Sequence, residues 1–224
     1  NLMLHLNETF AVWPGVEGGG PSKGIGMRDL MRIGGEPMGM VQAMGVAARE
    51  GEILHYLRRR LAERAWGRAR LLQEGARLPA ALAARWLGAA RLYVGLLEDR
   101  PDPGNRVLPD GGPGGGIAVR YRVTAELEAR RATFRRAIRR AFRGLRPVFL
   151  HRAAEPNWGH ACGTARMGGS PADSVADGAG RVHGVANLWV ADASAFPTST
   201  GVNPSLTVAA LALRVAQAVA EEGT

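Results

Sequence analysis

His160-Ala161-Cys162-Gly163-Thr164-Ala165-Arg166-Met167-Gly168 is the stretch on which the reading of this chain turns, together with Asn187-Leu188-Trp189-Val190-Ala191-Asp192-Ala193-Ser194 and Gly201-Val202-Asn203-Pro204-Ser205-Leu206-Thr207. The first is too rich in glycine for a long helix and presents one histidine. The second reads as a strand, residues 188–191, that ends in an aspartate. The third is a helix start, with Asn203 at N-cap and Pro204 at N1, followed by Leu206, Ala210, Leu213 and Ala216 or Ala220 at helical spacing. Three such segments can converge on one bound group. An imidazole titrates near neutrality and suits proton transfer. A carboxylate at the carboxyl end of a strand can accept a hydrogen bond from a ligand hydroxyl. The free N–H groups of a helix start favour negative charge. Each residue also has a plainer reading: a surface histidine, an aspartate capping a turn near Ser194, an asparagine capping its own helix.

Upstream, Thr124 is a good N-cap with Glu126 and Glu128 in the first turn, and a helix is expected from there to about Leu145, ended by Pro147. Leu127, Phe134, Ile138, Ala141 and Leu145 form its apolar stripe. Arg130, Arg131, Arg135, Arg136, Arg139, Arg140 and Arg143 dominate the rest, which reads as a solvated basic face. Residues 105–108 read as a short strand and residues 109–116 as a Gly- and Pro-rich connection. Residues 117–123 alternate Ile117, Val119, Tyr121 and Val123 with Ala118, Arg120 and Arg122, the period of a strand with one buried and one wet face. Residues 53–73 and 79–97 carry apolar side chains at helical spacing and read as two amphipathic helices, with Pro79 in a first turn. Residues 27–48, with five methionines and four glycines, stay unassigned. Residues 14–26 read as a loop, and Leu2, Leu4 and Leu6 as an alternating strand with one buried face.

A length of 224 residues suits one large domain or two small ones. The formal charge of +9 admits a nucleic-acid partner on charge alone. Lys23 is the only lysine, however, and the aromatic interleaving of nucleic-acid modules is absent, so no nucleic acid is expected. No apolar run is long enough to cross a bilayer, so no stable membrane insertion is expected. Cys162, the only cysteine, permits no intrachain disulfide and reads as a small buried filler. A lone thiol is compatible with a reducing compartment; the location is left open, with the cytoplasm slightly favoured. Asn1 stands where a methionine would begin a gene product, so the chain is expected to be a fragment, a processed product or the product of a truncated gene.

The order and spacing of the three C-terminal segments resemble the signature of the GMC (glucose-methanol-choline) flavoprotein oxidoreductases. His160–Gly168 is nearly that family's His-Pro-x-Gly-Thr-Cys-x-Met-Gly, with Ala161 for the proline and Ala165 for the cysteine. Asp102-Pro103-Gly104-Asn105-Arg106-Val107 is similar to its Asp-Pro-x-Asn-Arg-Val element. Asn1–His5 resembles its Gly-x-Asn-Leu-x-x-His segment, cut after the glycine. The resemblance implies an FAD cofactor, a small-molecule alcohol substrate, and an electron acceptor that is oxygen, a quinone or a redox protein. It implies that His160 accepts the hydroxyl proton and that Asn203 orients the oxygen. It places Asp192 and Ala193 at the ribityl chain, and Asn203, Pro204 and Ser205 at the pyrimidine edge of the flavin.

The fold so implied is an α+β substrate domain over residues 1–157, an antiparallel sheet with helices on one side. Residues 158–224 would then supply the C-terminal strand and helix of an α/β FAD-binding domain whose N-terminal part is missing. No Gly-x-Gly-x-x-Gly occurs anywhere in the chain. The chain alone is therefore expected to be inactive and to bind FAD weakly or not at all. The alternative is a degenerate, non-catalytic interaction module that binds an acidic partner through its arginine-rich helix.

Overall fold

Strand β1 (Met3–Val12) organises the computed structural model, which describes residues 1–15, 23–111 and 114–222. After it come the short strands β2 (Gly26–Met27), β3 (Arg32–Ile33), β4 (Glu36–Pro37) and β5 (Gly39–Ala43). Helices α1 (Glu50–Ala62), α2 (Arg70–Gly75) and α3 (Arg77–Leu87) follow, then strands β6 (Arg91–Leu97), β7 (Arg106–Asp110) and β8 (Gly116–Arg120). Helix α4 (Ala125–Ala141), strands β9 (Val148–Phe149) and β10 (Pro156–Cys162), and helix α5 (Ser205–Glu222) complete the order. The main sheet runs β10-β1-β6-β5-β2, with β9 also on β1, and its pairings are antiparallel. The fold is thus mixed α and β, built on antiparallel sheets.

Both faces of β1 are covered. Leu4 and Leu6 are buried as alternation predicts, but Met3, His5 and Ala11 on the opposite face are buried too. This corrects the expectation of one wet face. On the even-numbered side, α4 lays Leu127, Phe134 and Ile138 against Leu6, Phe10 and Val12. Gly95 of β6 permits the approach, since a Cβ there would lie 2.7 Å from Phe134 Cε1. On the odd-numbered side, Ala11 and Leu92 meet Leu87 of α3 and Ile53 of α1. Farther along that face, Met3 meets Phe196 and, from α5, Leu211 and Val215. Helices therefore cover the sheet on both sides rather than one, because its central strands have two apolar faces to bury.

Helix α4 starts where its cap predicts, Thr124 Oγ1 accepting the Leu127 N–H at 3.1 Å. Its arginine face is the solvated one expected at Arg136, Arg139, Arg140 and Arg143, which are exposed, but not along its whole length. Arg130 and Arg131 are buried, and Arg131 and Arg135 both donate to the carboxylate of Glu8. Glu8 is fully buried on the α4 side of β1, where a carboxylate cut off from water requires paired donors.

Three further expectations are corrected. Residues 53–73 are not one helix: α1 stops at Ala62, and a 3-10 turn (Ala65–Arg68) precedes α2. After the break the chain packs back on the end of α1 at Gly67, where a Cβ would strike the Leu61 carbonyl. Residues 79–97 are half helix and half strand, because residues 91–97 form ladders with both β1 and β5. Strand β8 pairs with β7 in a separate hairpin, and Ile117 and Val119 are exposed rather than buried. The expected loop at 14–26 and the connection at 109–116 fall partly outside the described residues. Strand β10 pairs with β1 on both sides of position 157, where the two expected domains meet.

Candidate active site

His160 lies within an irregularity of β10. Met3 opposes Cys162 and His5 opposes Asn157, so one residue of β1 faces four of β10 between those pairs. Such bulges re-aim side chains. Here the bulge brings His160 Nδ1 to 2.9 Å from His5 Nδ1, the two rings meeting edge-on with centroids 5.0 Å apart. Asn157 Nδ2 stands 3.2 Å from the same His160 nitrogen. His160 is half-buried, and that burial holds its imidazole below the ordinary value.

Beneath His160 the network continues into the core. His5 is fully buried, and its Nε2 donates to the carbonyl of Ser199. Burial, then the neighbouring His160, hold the His5 pKa down to about 4. Ser199 is locked to Asp99, its hydroxyl accepting from the Asp99 N–H at 2.7 Å and its own N–H donating to the Asp99 carbonyl at 3.2 Å. The Asp99 carboxylate accepts from the Leu4 and Arg100 N–H groups and from the Tyr121 hydroxyl, at 3.0, 2.8 and 2.9 Å. Burial raises the Asp99 pKa against those donors. Cys162, two residues past His160, is buried, and its thiol is pushed up to about 12.

From Ser199 the chain crosses toward the far strands. Thr200 is held at φ +69°, unusual for a β-branched residue, and its buried Oγ1 has no hydrogen-bond partner among the described residues. Gly201 follows at φ +62°, its carbonyl accepting from the Met40 N–H at 3.0 Å. A Cβ on Gly201 would lie 3.0 Å from the Gly39 Cα, so the close passage over β5 needs glycine. Asn203 is exposed and donates through Nδ2 to Gln42 Oε1 of β5 at 2.7 Å. Helix α5 begins at Ser205, one residue later than expected, and the Pro204 carbonyl accepts from the Val208 N–H.

His160 and Asn203 are not hydrogen-bonded to each other. Their supporting strands, β10 and β5, are separated by β1 and β6, three strand spacings or about 14 Å. The segment from Ser199 to Asn203 links the two places. Asp192 is exposed and caps a 3-10 turn (Ala193–Ala195), its Oδ1 accepting the Ser194 N–H at 2.8 Å. The expected strand at 188–191 is corrected to an isolated bridge, Trp189 to Arg181, because no other described strand lies alongside to extend a ladder. Ala193 is half-buried, and its carbonyl accepts from the Gly163 N–H at 3.1 Å, which ties residues 192–195 to the chain that follows His160. Sequence reasoning gave no role to His5, Ser199, Asp99, Tyr121 or Gln42. For His5 a signal existed: a histidine in a strand of leucines, in the segment that resembles Gly-x-Asn-Leu-x-x-His. Among the described residues no group of three or more His, Cys, Asp or Glu could hold a metal ion. No helix among them is long and apolar enough to cross a membrane.

The chain is similar in part to known proteins. The GMC oxidoreductase family model matches residues 117–212. Paromamine 6'-oxidase of Streptomyces fradiae is 52% identical over 61 residues, 27% of this chain and 11% of that protein. Dehydrogenase str4 of Strobilurus tenacellus is 49% identical over 61 residues, 27% of this chain and 10% of that protein. The matched stretch thus spans about a tenth of each relative's length. The crystal structure of pyridoxine 4-oxidase from Mesorbium loti aligns with a TM-score of 0.48 at 21% identity, covering 97% of this chain and 42% of that one.

Proposed function

We propose that this chain, whose residues 117–212 match the GMC oxidoreductase family model, is the C-terminal portion of an enzyme that oxidises an alcohol with FAD. The observation that carries the reading is the half-buried His160, seated on His5 with its pKa lowered. An imidazole so placed is neutral at pH 7 and ready to take a proton.

Features of this chain fit the pyrimidine and ribityl parts of FAD. Thr200 presents a buried hydroxyl oxygen without a partner among the described residues. Asn203, Ser205 and Asp192 are exposed, and the first N–H groups of α5 lack intrahelical acceptors. Asp192 with Ala193, and Asn203 with Pro204 and Ser205, are the residues that would hold the cofactor. The chemistry FAD supplies is acceptance of a hydride from carbon. The residues of this chain do the rest. His160 accepts the hydroxyl proton of a primary or secondary alcohol. Asn203 spends one N–H on Gln42 and has a second with which to orient the alcohol oxygen. The positive end of α5 favours the negative charge that arrives with the hydride. The acceptor is oxygen, a quinone or a redox protein.

With no Gly-x-Gly-x-x-Gly in the sequence, the turn that binds the pyrophosphate is assigned to polypeptide outside residues 1–224. Purified with added FAD, the 224-residue chain should show no flavin absorbance. Stoichiometric colour in the chain alone would refute that assignment. In an enzyme that includes the dinucleotide-binding part, His160→Ala should lower kcat by about 10²–10⁴-fold. Unchanged turnover in that variant would remove His160 from the mechanism. The interaction-module reading is weakened by the internal bonds of Arg130, Arg131 and Arg135, which take three arginines from the helix face it needs.

A further inference from the structure

We infer that buried His5 is a positioning residue that fixes the tautomer of His160, leaving His160 Nε2 as the proton-accepting atom. The inference rests on the reading of His160 as the base, and the argument is one of donors and acceptors.

His5 Nε2 faces the Ser199 carbonyl, which can only accept, so this nitrogen carries the hydrogen. A neutral imidazole has one N–H, so His5 Nδ1 is a lone pair. The 2.9 Å contact between the two Nδ1 atoms therefore needs its proton on His160. His160 is then the Nδ1–H form, and its Nε2 bears the lone pair. That nitrogen makes no hydrogen bond to the described residues, and His160 is only half-buried.

Asn157 offers the competing arrangement, with its Nδ2 donating to His160 Nδ1 at 3.2 Å. His160 Nδ1 would then be an acceptor, and His5 would have to donate from both nitrogens. That requires a doubly protonated His5 in a site with no exposure to solvent, where burial opposes the charge. Asn157 has other bonds, its Oδ1 accepting the Gly159 N–H at 3.1 Å and its Nδ2 reaching Asn7 Oδ1 at 3.4 Å.

The seat of His5 is rigid in its turn. Ser199 is held by two hydrogen bonds to Asp99, and Asp99 by three further donors. His5 does not need to touch the substrate. It holds the ring of His160 in one orientation and one protonation pattern, and it accepts a hydrogen bond from the imidazolium that forms once the hydroxyl proton has moved to Nε2.

The test is the nitrogen-15 imidazole spectrum of the folded 224-residue chain at pH 7. His5 should show the Nε2–H pattern and His160 the Nδ1–H pattern. His5→Gln can still donate to Ser199 but places no acceptor at the Nδ1 position, and should return His160 to the Nε2–H form. His5→Asn puts an oxygen at the Nδ1 position and should keep His160 as Nδ1–H. An Nε2–H pattern for His160 in the unsubstituted protein overturns the inference, and so does a His160 pattern unmoved by His5→Gln. The unsubstituted spectrum decides even if a variant fails to fold.

In the FAD-loaded enzyme, His5→Gln should lower kcat by about 10²-fold with KM unchanged, and His5→Asn should recover most of the loss. The two readings fail separately. Full turnover in His160→Ala sinks the role of His160 while leaving the tautomer result standing. An inactive His160→Ala beside an Nε2–H His160 sinks only the role of His5.

Discussion

A histidine that refuses a proton makes a protein sensitive to acid. His5 is held down to about 4 in the folded chain, against 6.5 for an unperturbed imidazole. Between those values the unfolded chain binds a proton that the native state does not. Stability is therefore full above pH 6.5 and falls as pH drops toward 4, by on the order of 3 kcal/mol for this group. Urea unfolding at pH 7 and at pH 4.5 should show that loss in the unsubstituted protein and much less of it in His5→Gln. Equal pH dependence in the two would show that His5 titrates like a solvated residue. At His160 the shift has the same sign, so the base stays unprotonated below the ordinary histidine value and the acid limb of kcat/KM should lie below 6.5. His160 itself was singled out by its Gly-Thr-x-x-Met-Gly context. Its partner was not, because His5 precedes it by 155 residues.

Among the elements, α4 shows best what a local pattern carries. Its start is written at Thr124, and its stripe of Leu127, Phe134 and Ile138 is the buried face observed. Its basic side carried no local sign that Arg131 and Arg135 reach Glu8 on the central strand. Glu8→Gln removes the charge that both guanidinium groups share in the core, and should destabilise the fold by about 3–5 kcal/mol in chemical denaturation. A loss below about 1 kcal/mol would mean that the cluster is solvated. Strand β6 was misread for a related reason. Tyr93 and Leu97 fit a helical stripe with Leu82 and Trp86, but two flanking strands outweighed the local period.

At the scale of the whole molecule, α5 has one face against Met3 and Phe196 and another in solvent. Leu211 and Val215 are buried, while Leu206 and Leu213 are exposed at 82% and 74%. Leu211→Ala should cost about 2–5 kcal/mol in the chain by itself. Leu213→Gln should fall within about 0.5 kcal/mol of the unsubstituted protein. A large loss from Leu213→Gln would show that this face is covered in solution. The same face lies on the helix whose first turn is proposed to meet FAD, so the colour of the purified chain and the tolerance of Leu213 address one question from two sides.

By itself the sequence determined the features encoded within a few neighbouring residues: the Thr124 cap, the apolar stripe of α4, the presence of strands at β7 and β8, and the three C-terminal segments that mark the GMC oxidoreductase match. The tertiary structure alone decided that β1 is covered on both faces, that Glu8 gathers Arg131 and Arg135, and that His160 rests on His5, which rests on Ser199. The physical reason is register. Which side chains meet across a sheet depends on how strands slide past one another, and a shift of one residue turns every side chain to the other face. The contacts that set that register join residues more than a hundred positions apart.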